Sequence, residues 1–173
     1  MLKNPIQRHR LAGFTLIEIL VTVTLTALIM MGISTLFISF ITTAGKSRLS
    51  QSIRENGTVA MQKMIEELRN AKAIDPTITC DGSTTYNSLS FINTDETVST
   101  LAASDGKINL TIVDSNYFLT SDSNQLSGLE FVCYDSEAAK YIEISFTLAS
   151  STATTNSPTH SQLDFKSGVA LRN

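Results

Sequence analysis

Arg8-His9-Arg10-Leu11-Ala12-Gly13-Phe14-Thr15-Leu16-Ile17-Glu18-Ile19-Leu20 is the stretch that decides how the rest of the chain is read. Basic residues stop at Arg10, and between Arg10 and Lys46 the single charged residue is Glu18. An acid in a hydrocarbon-soluble segment costs roughly 2.5–3.5 kcal/mol at the bilayer centre on insertion scales. Such a group needs a partner.

The apolar run around Glu18 is longer than a membrane requires. A bilayer core takes about 20 helical residues, and Phe14 to Ile33 already supply them. Thr35-Leu36-Phe37-Ile38-Ser39-Phe40-Ile41 stays apolar beyond that point. A lone anchor has little use for this extension, whereas a helix that enters a bundle of like helices does. Thr22, Thr24, Thr26, Ser34 and Thr35 are tolerable inside because a helical hydroxyl bonds a carbonyl one turn back. Gly32 is the soft point of the run. Lys3, Arg8 and Arg10 make the segment before it basic, so the positive-inside rule keeps residues 1–13 cytoplasmic and exports the C-terminal bulk. An ordinary secretory signal is cut after its apolar region, beside small residues. Ala44-Gly45 offers such a site, which leaves export with loss of the anchor as an alternative.

The string Gly13-Phe14-Thr15-Leu16-Ile17-Glu18, after a short basic leader and before an apolar helix, resembles the processing site of type IV prepilins and pseudopilins. The resemblance is strong over the first ~45 residues and architectural beyond them. It implies that a membrane-embedded peptidase/methyltransferase cuts between Gly13 and Phe14 and N-methylates Phe14. It also implies partners: other pilin or pseudopilin subunits and an inner-membrane assembly platform. Once cut, Phe14 presents an α-ammonium, with Glu18 one helical turn along. Two axially staggered helices then place one subunit's Glu18 beside the next subunit's ammonium. Pairing relieves two buried charges together and sets register more than it adds net stability. Many major pilins carry a Pro partway along this helix; none occurs here, which points to a minor pilin or a pseudopilin. The plainer alternative is a signal-anchor whose Glu18 faces the headgroups.

From Lys46 to Ile74 the residues Leu49, Ile53, Ala60, Met64, Leu68 and Ala71 recur every three or four positions, widened by Met61 and Ile65. This predicts an amphipathic continuation of the helix, its stripe packing on a sheet. Asn56-Gly57 interrupts it, at a propensity cost of about 1 kcal/mol, and is a place for a kink. Asp75-Pro76 is expected to end it. Residues 60–71 also resemble the matching helix of minor pilins and of the J-type pseudopilins of type II secretion.

After Pro76 the period changes to two. Strands are predicted at Ser88–Asn93, Ile108–Val113, Leu129–Tyr134, Tyr141–Leu148 and around Leu163–Leu171, with Gly168 at a bend or bulge. Turns are expected at Asp81-Gly82, Asp105-Gly106 and Ser127-Gly128, and a polar surface loop over Ala149–Thr159. Helix first and strands after means α+β, a long N-terminal helix packed on an antiparallel sheet. The expected organisation is a cleaved leader (1–13), an apolar transmembrane and filament-core helix (14–45), its amphipathic continuation (46–75) and an exported sheet domain (76–173).

Cys80 and Cys133 are the only cysteines. An even pair in an exported domain favours a disulfide, the alternative being two free thiols. Chemistry beyond that is sparse. His9 leaves with the leader and His160 lies in the polar loop, so neither has a positioned neighbour. Gly45-Lys46-Ser47 ends like a phosphate loop but lacks the earlier glycine. Asp81, Asp95-Glu96 and Asp105 read as solvated turns, with a calcium site the lesser reading. Asn109-Leu110-Thr111 matches a glycosylation sequon. No catalytic residue, metal or cofactor is expected. Outside the leader sixteen Asp and Glu face ten Lys and Arg, which argues against a broad grip on nucleic acid.

The function expected is that of a structural subunit, a minor pilin or pseudopilin that primes or caps a type IV pilus-type filament. It would sit as a single-pass inner-membrane protein with its C-terminal domain outside, reaching the periplasm or cell surface on assembly. The alternatives are a type II secretion pseudopilus component, a competence pseudopilin in DNA uptake and, from another class, a non-polymerising anchored sensor or adhesin.

Overall fold

The computed structural model describes residues 13–135, 139–150 and 161–171. The chain divides into two compact units, Met1–Ile41 and Thr42–Asn173. One helix, α1 (Leu16–Asn70), supplies the described structure of the first unit and opens the second. Nine strands follow: β1 (Ala73–Ile74), β2 (Asp81–Tyr86), β3 (Ser88–Ile92), β4 (Val98–Ser104), β5 (Lys107–Ile112), β6 (Ser115–Phe118), β7 (Asn124–Asp135), β8 (Lys140–Ser150) and β9 (Gln162–Ala170).

The architecture is α+β, with two antiparallel sheets where one was expected. Their strand orders are β1-β3-β4-β5-β6 and β2-β7-β8-β9. The helix presents Ile53, Gly57, Ala60, Met61, Met64 and Leu68 as its buried stripe. That stripe shares one core with Leu89 and Phe91 of β3, Leu101 of β4, Ile108 and Leu110 of β5, and the inward residues of β7 and β8. Ile142, Ile144, Phe146 and Leu148 of β8 are all buried, as their alternation predicts.

The helix stops at Asn70, short of the expected Asp75. Ala71 donates its N–H to the Leu68 carbonyl, Lys72 to Ile92 and Asp75 to Ser90. Ala73 and Ile74 then pair with Ile92 and Phe91. Ladder bonding to β3 thus replaces the last helical turn, while Ala71 and Ile74 stay in the core.

Glycine marks three further departures and one agreement. Asp105-Gly106 is the expected hairpin turn, with φ of 52° and 69° joining the paired Ser104 and Lys107. Ser127-Gly128 is a bulge within β7 instead of a turn. Gly128 has φ 61° and the register with β8 shifts between Ser127 and Glu130. The extra residue turns the strand's phase so that Leu126 and Leu129 both face inward. Asp81-Gly82 likewise opens β2, beside a register shift. Gly168, in contrast, pairs with Glu143 in an unbroken ladder. A Cβ there would lie 1.8 Å from the Tyr141 hydroxyl, so that glycine makes room for the ring. Ala149 and Ser150 of the expected polar loop belong to β8; the rest of that loop and His160 lie outside the described residues.

Gly57 is a packing site in the middle of the helix. A Cβ built on it would meet the Phe165 ring at 2.1–2.5 Å, and Phe165 stacks on the buried Phe146 with centroids 5.0 Å apart. Gly57→Ala gains about 1 kcal/mol in helix propensity but overpacks the core, which costs about 1–3 kcal/mol. We expect a net fall in thermal stability, and Phe165→Leu in the same chain should recover part of it. Differential scanning calorimetry of the single and double variants checks this; a more stable Gly57→Ala chain refutes the packing role.

Candidate processing and assembly site

Gly13, Phe14 and Thr15 precede the helix and are exposed. Thr15 caps it. Its carbonyl accepts from the N–H of Glu18 (3.1 Å) and Ile19 (3.2 Å), and its Oγ1 accepts from the Glu18 N–H at 3.3 Å. Thr15-Leu16-Ile17-Glu18 is therefore a Thr-x-x-Glu string at a helix start, the pattern of a capping box. The bonds made here come from the Glu18 backbone N–H, and the Thr-x-x-Glu spacing is a local signal that the sequence analysis did not use. A carboxylate in the first turn also complements the helix dipole, worth about 0.3–1 kcal/mol at an exposed site.

From Thr22 to Thr35 the hydroxyls of the helix are satisfied by its own carbonyls. Thr22 donates to the Ile19 carbonyl, Thr26 to Thr22, Ser34 to Met30 and Thr35 to Met31, at 2.7–2.9 Å. Its apolar side chains are not covered by the described residues. Every large one from Phe14 to Ile41 is exposed, from 45% at Val21 to 83% at Leu16. Contiguous apolar surface on this scale marks a membrane or protein-protein contact. By length and composition this helix is able to cross a membrane.

Residues 8–34 match the family model of the prokaryotic N-terminal methylation motif. This motif is that of class III prepilin leaders. That is consistent with a type IV pilin-like protein and supports a pilin or pseudopilin-type structural subunit, processed by a prepilin peptidase and assembled with other pilins. The leader and the apolar helix together fit a single-pass inner-membrane anchor. No curated protein and no solved structure matches the chain.

The other singled-out residues fall in the second unit. Among the described residues no three His, Cys, Asp or Glu gather to hold a metal. The turn aspartates are engaged locally. Asp75 Oδ1 accepts from the N–H and hydroxyl of Thr77, and Asp95 Oδ1 does the same from Thr97. Asp81 accepts the N–H groups of Ser83 and Thr84 and the Thr84 hydroxyl. These bonds hold all three carboxyls below the usual aspartate range, through backbone donors first in Asp75 and Asp81 and through the Thr97 hydroxyl first in Asp95. The sequon lies in β5 between two strands, with the Thr111 hydroxyl bonded to Asn116 Oδ1 at 2.7 Å. Gly45-Lys46-Ser47 lies within α1 and forms no loop.

Cys80 and Cys133 form a disulfide with Cα atoms 4.4 Å apart and a sequence separation of 53. It joins the segment entering β2 to the buried inward face of β7. A loop of that length gives about 4 kcal/mol in the chain-entropy model. Reduction of the folded chain should therefore lower Tm by tens of degrees or unfold it. Thiol titration before and after reduction should differ by two equivalents; two freely reactive thiols in protein from an oxidising compartment count against the bond.

Proposed function

We propose that this chain is a minor pilin or pseudopilin that primes or caps a type IV pilus-type filament. The peptidase cuts between Gly13 and Phe14, and Phe14 becomes the N-methylated terminus. The observation that carries the reading is the uncovered apolar helix from Phe14 to Ile41, holding a single acid, Glu18, at its capped start. A filament built of such helices covers these side chains as the lipid did before assembly. The missing Pro and the likeness of residues 60–71 to minor pilins favour a minor subunit. The sheet domain, residues 76–173, then faces outward.

Glu18 has two separable tasks in this scheme. Within its own chain it stabilises the helix start, and between chains it meets the Phe14 ammonium of a staggered neighbour. Removing one partner of such a pair in the bundle leaves an uncompensated charge, which costs about 3–5 kcal/mol. Gln retains capping-box capacity but no charge; Val retains neither.

Two outcomes are expected. Made alongside an active prepilin peptidase, the mature chain should begin at Phe14 by intact mass, and a bulky residue at Gly13 should block the cut. Persistence of full-length protein alone defeats the pilin reading. Glu18→Val and Glu18→Gln should both be inserted and cleaved yet be depleted at least tenfold from sheared filaments relative to membranes. Normal incorporation of cleaved Glu18→Gln would show that the cap, and not the charge pair, is what Glu18 supplies.

A further inference from the structure

Three cations stand just past the apolar stretch of the helix. Lys46, Arg48 and Arg54 are exposed, and none of them makes an ion pair among the described residues. Between Glu18 and Glu55 there is no acid, and Glu55 is itself exposed and makes no ion pair among the described residues. Lys46, Ser50 and Arg54 recur every four residues on one face of the helix, where with Thr43, Ser47 and Gln51 they line an open depression. The rest of the exported chain is acidic: of the ten Lys and Arg outside the leader these are three, against sixteen acids. The neck is thus a locally positive stretch of an otherwise acidic chain.

Helix length says what lies beside that neck. At about 1.5 Å per residue the stretch from Leu16 to Ile41 spans roughly 39 Å. A bilayer with its headgroup regions is about 40–45 Å thick. A helix whose apolar stretch fills that thickness brings its next charged residues, Lys46 and Arg48, to the far headgroup layer. Their aliphatic stems lie along the apolar boundary while the cationic ends reach the phosphates. Arg54, about 12 Å further along the helix, reaches that layer only in part.

We propose that Lys46 and Arg48, assisted by Arg54, form a basic collar that binds anionic phospholipid headgroups at the exported end of the span and holds the subunit at a fixed depth before assembly. The proposal rests on the membrane-anchor reading and is independent of filament formation. Each cation near an anionic surface is worth about fivefold in affinity. Salt weakens the binding, because exposed charges are screened.

The test uses the full chain in phosphatidylcholine vesicles containing about one-third phosphatidylglycerol, with spin-labelled phosphatidylglycerol or phosphatidylcholine as the probe. The wild-type chain should hold the anionic probe more than fivefold over the zwitterionic one. Lys46→Gln/Arg48→Gln should bring the ratio close to one, Arg54→Gln should lower it less, and Lys140→Gln should leave it unchanged. Equal association of both probes with the wild-type chain overturns the proposal, as does a ratio indifferent to the double substitution. Displacement of the lipid by millimolar inorganic phosphate would assign the site to free phosphate, and displacement by duplex DNA at equal charge would assign it to nucleic acid; either overturns it. Resistance to alkaline carbonate is scored in parallel. A chain that washes out fails as an anchor, whereas one that stays inserted without lipid preference refutes the collar alone.

Discussion

One helix has to satisfy two solvents, and everything else in this chain is arranged around that constraint. From Phe14 to Ile41 it is mostly apolar, and none of the described residues covers its large apolar side chains. From Ile53 to Leu68 it is amphipathic and its stripe is buried under sheet residues. The first part fits an apolar surrounding outside the chain, such as a membrane; the second draws its stability from the core. Glu18 is the sole charge in the first part, and Thr15 anchors the backbone where that charge sits.

The second part is held by contacts that tolerate little change. Gly57 is the point where the helix meets the Phe165 ring, and Phe165 in turn lies on Phe146. The bulge at Gly128 lets one long strand keep both Leu126 and Leu129 inward. On the outer face of the same sheet, Glu143 pairs with Lys166 at 2.7 Å and Thr147 bonds Asp164 at 2.7 Å across β8 and β9. Such exposed pairs contribute little, typically 0–1 kcal/mol, so the inner face supplies most of the sheet's stability.

How much of this was legible depended on which residues carried the signal. The helix and strands β3, β5, β7, β8 and β9 announced themselves through apolar periodicity. Strand β4 did not, because Ser99 holds an inward position: it is fully buried and accepts from Asn93 Nδ2 at 2.8 Å. Strands β2 (Asp-Gly-Ser-Thr-Thr-Tyr) and β6, every residue of which is exposed, have no apolar alternation to read. Without those three, two sheets looked like one. Glycine misled in both directions, since a local rule cannot tell a turn at Gly106 from a bulge at Gly128 or a seat for Tyr141 at Gly168. At the processing site the Gly-Phe-Thr-Leu-Ile-Glu string was read for its chemistry, and its Thr-x-x-Glu spacing was overlooked.

The bond between Cys80 and Cys133 also determines how the domain would carry load. Strands β3 to β6 all lie in the 53-residue loop that it closes. A pull applied between the helix and the C-terminal strands passes through the two sulfur atoms and bypasses that loop. Its hairpins are then never in series with the force, and even a torn domain cannot pay out the length of chain they contain. In a fibre under tension such a subunit would yield over a short distance and recoil from it.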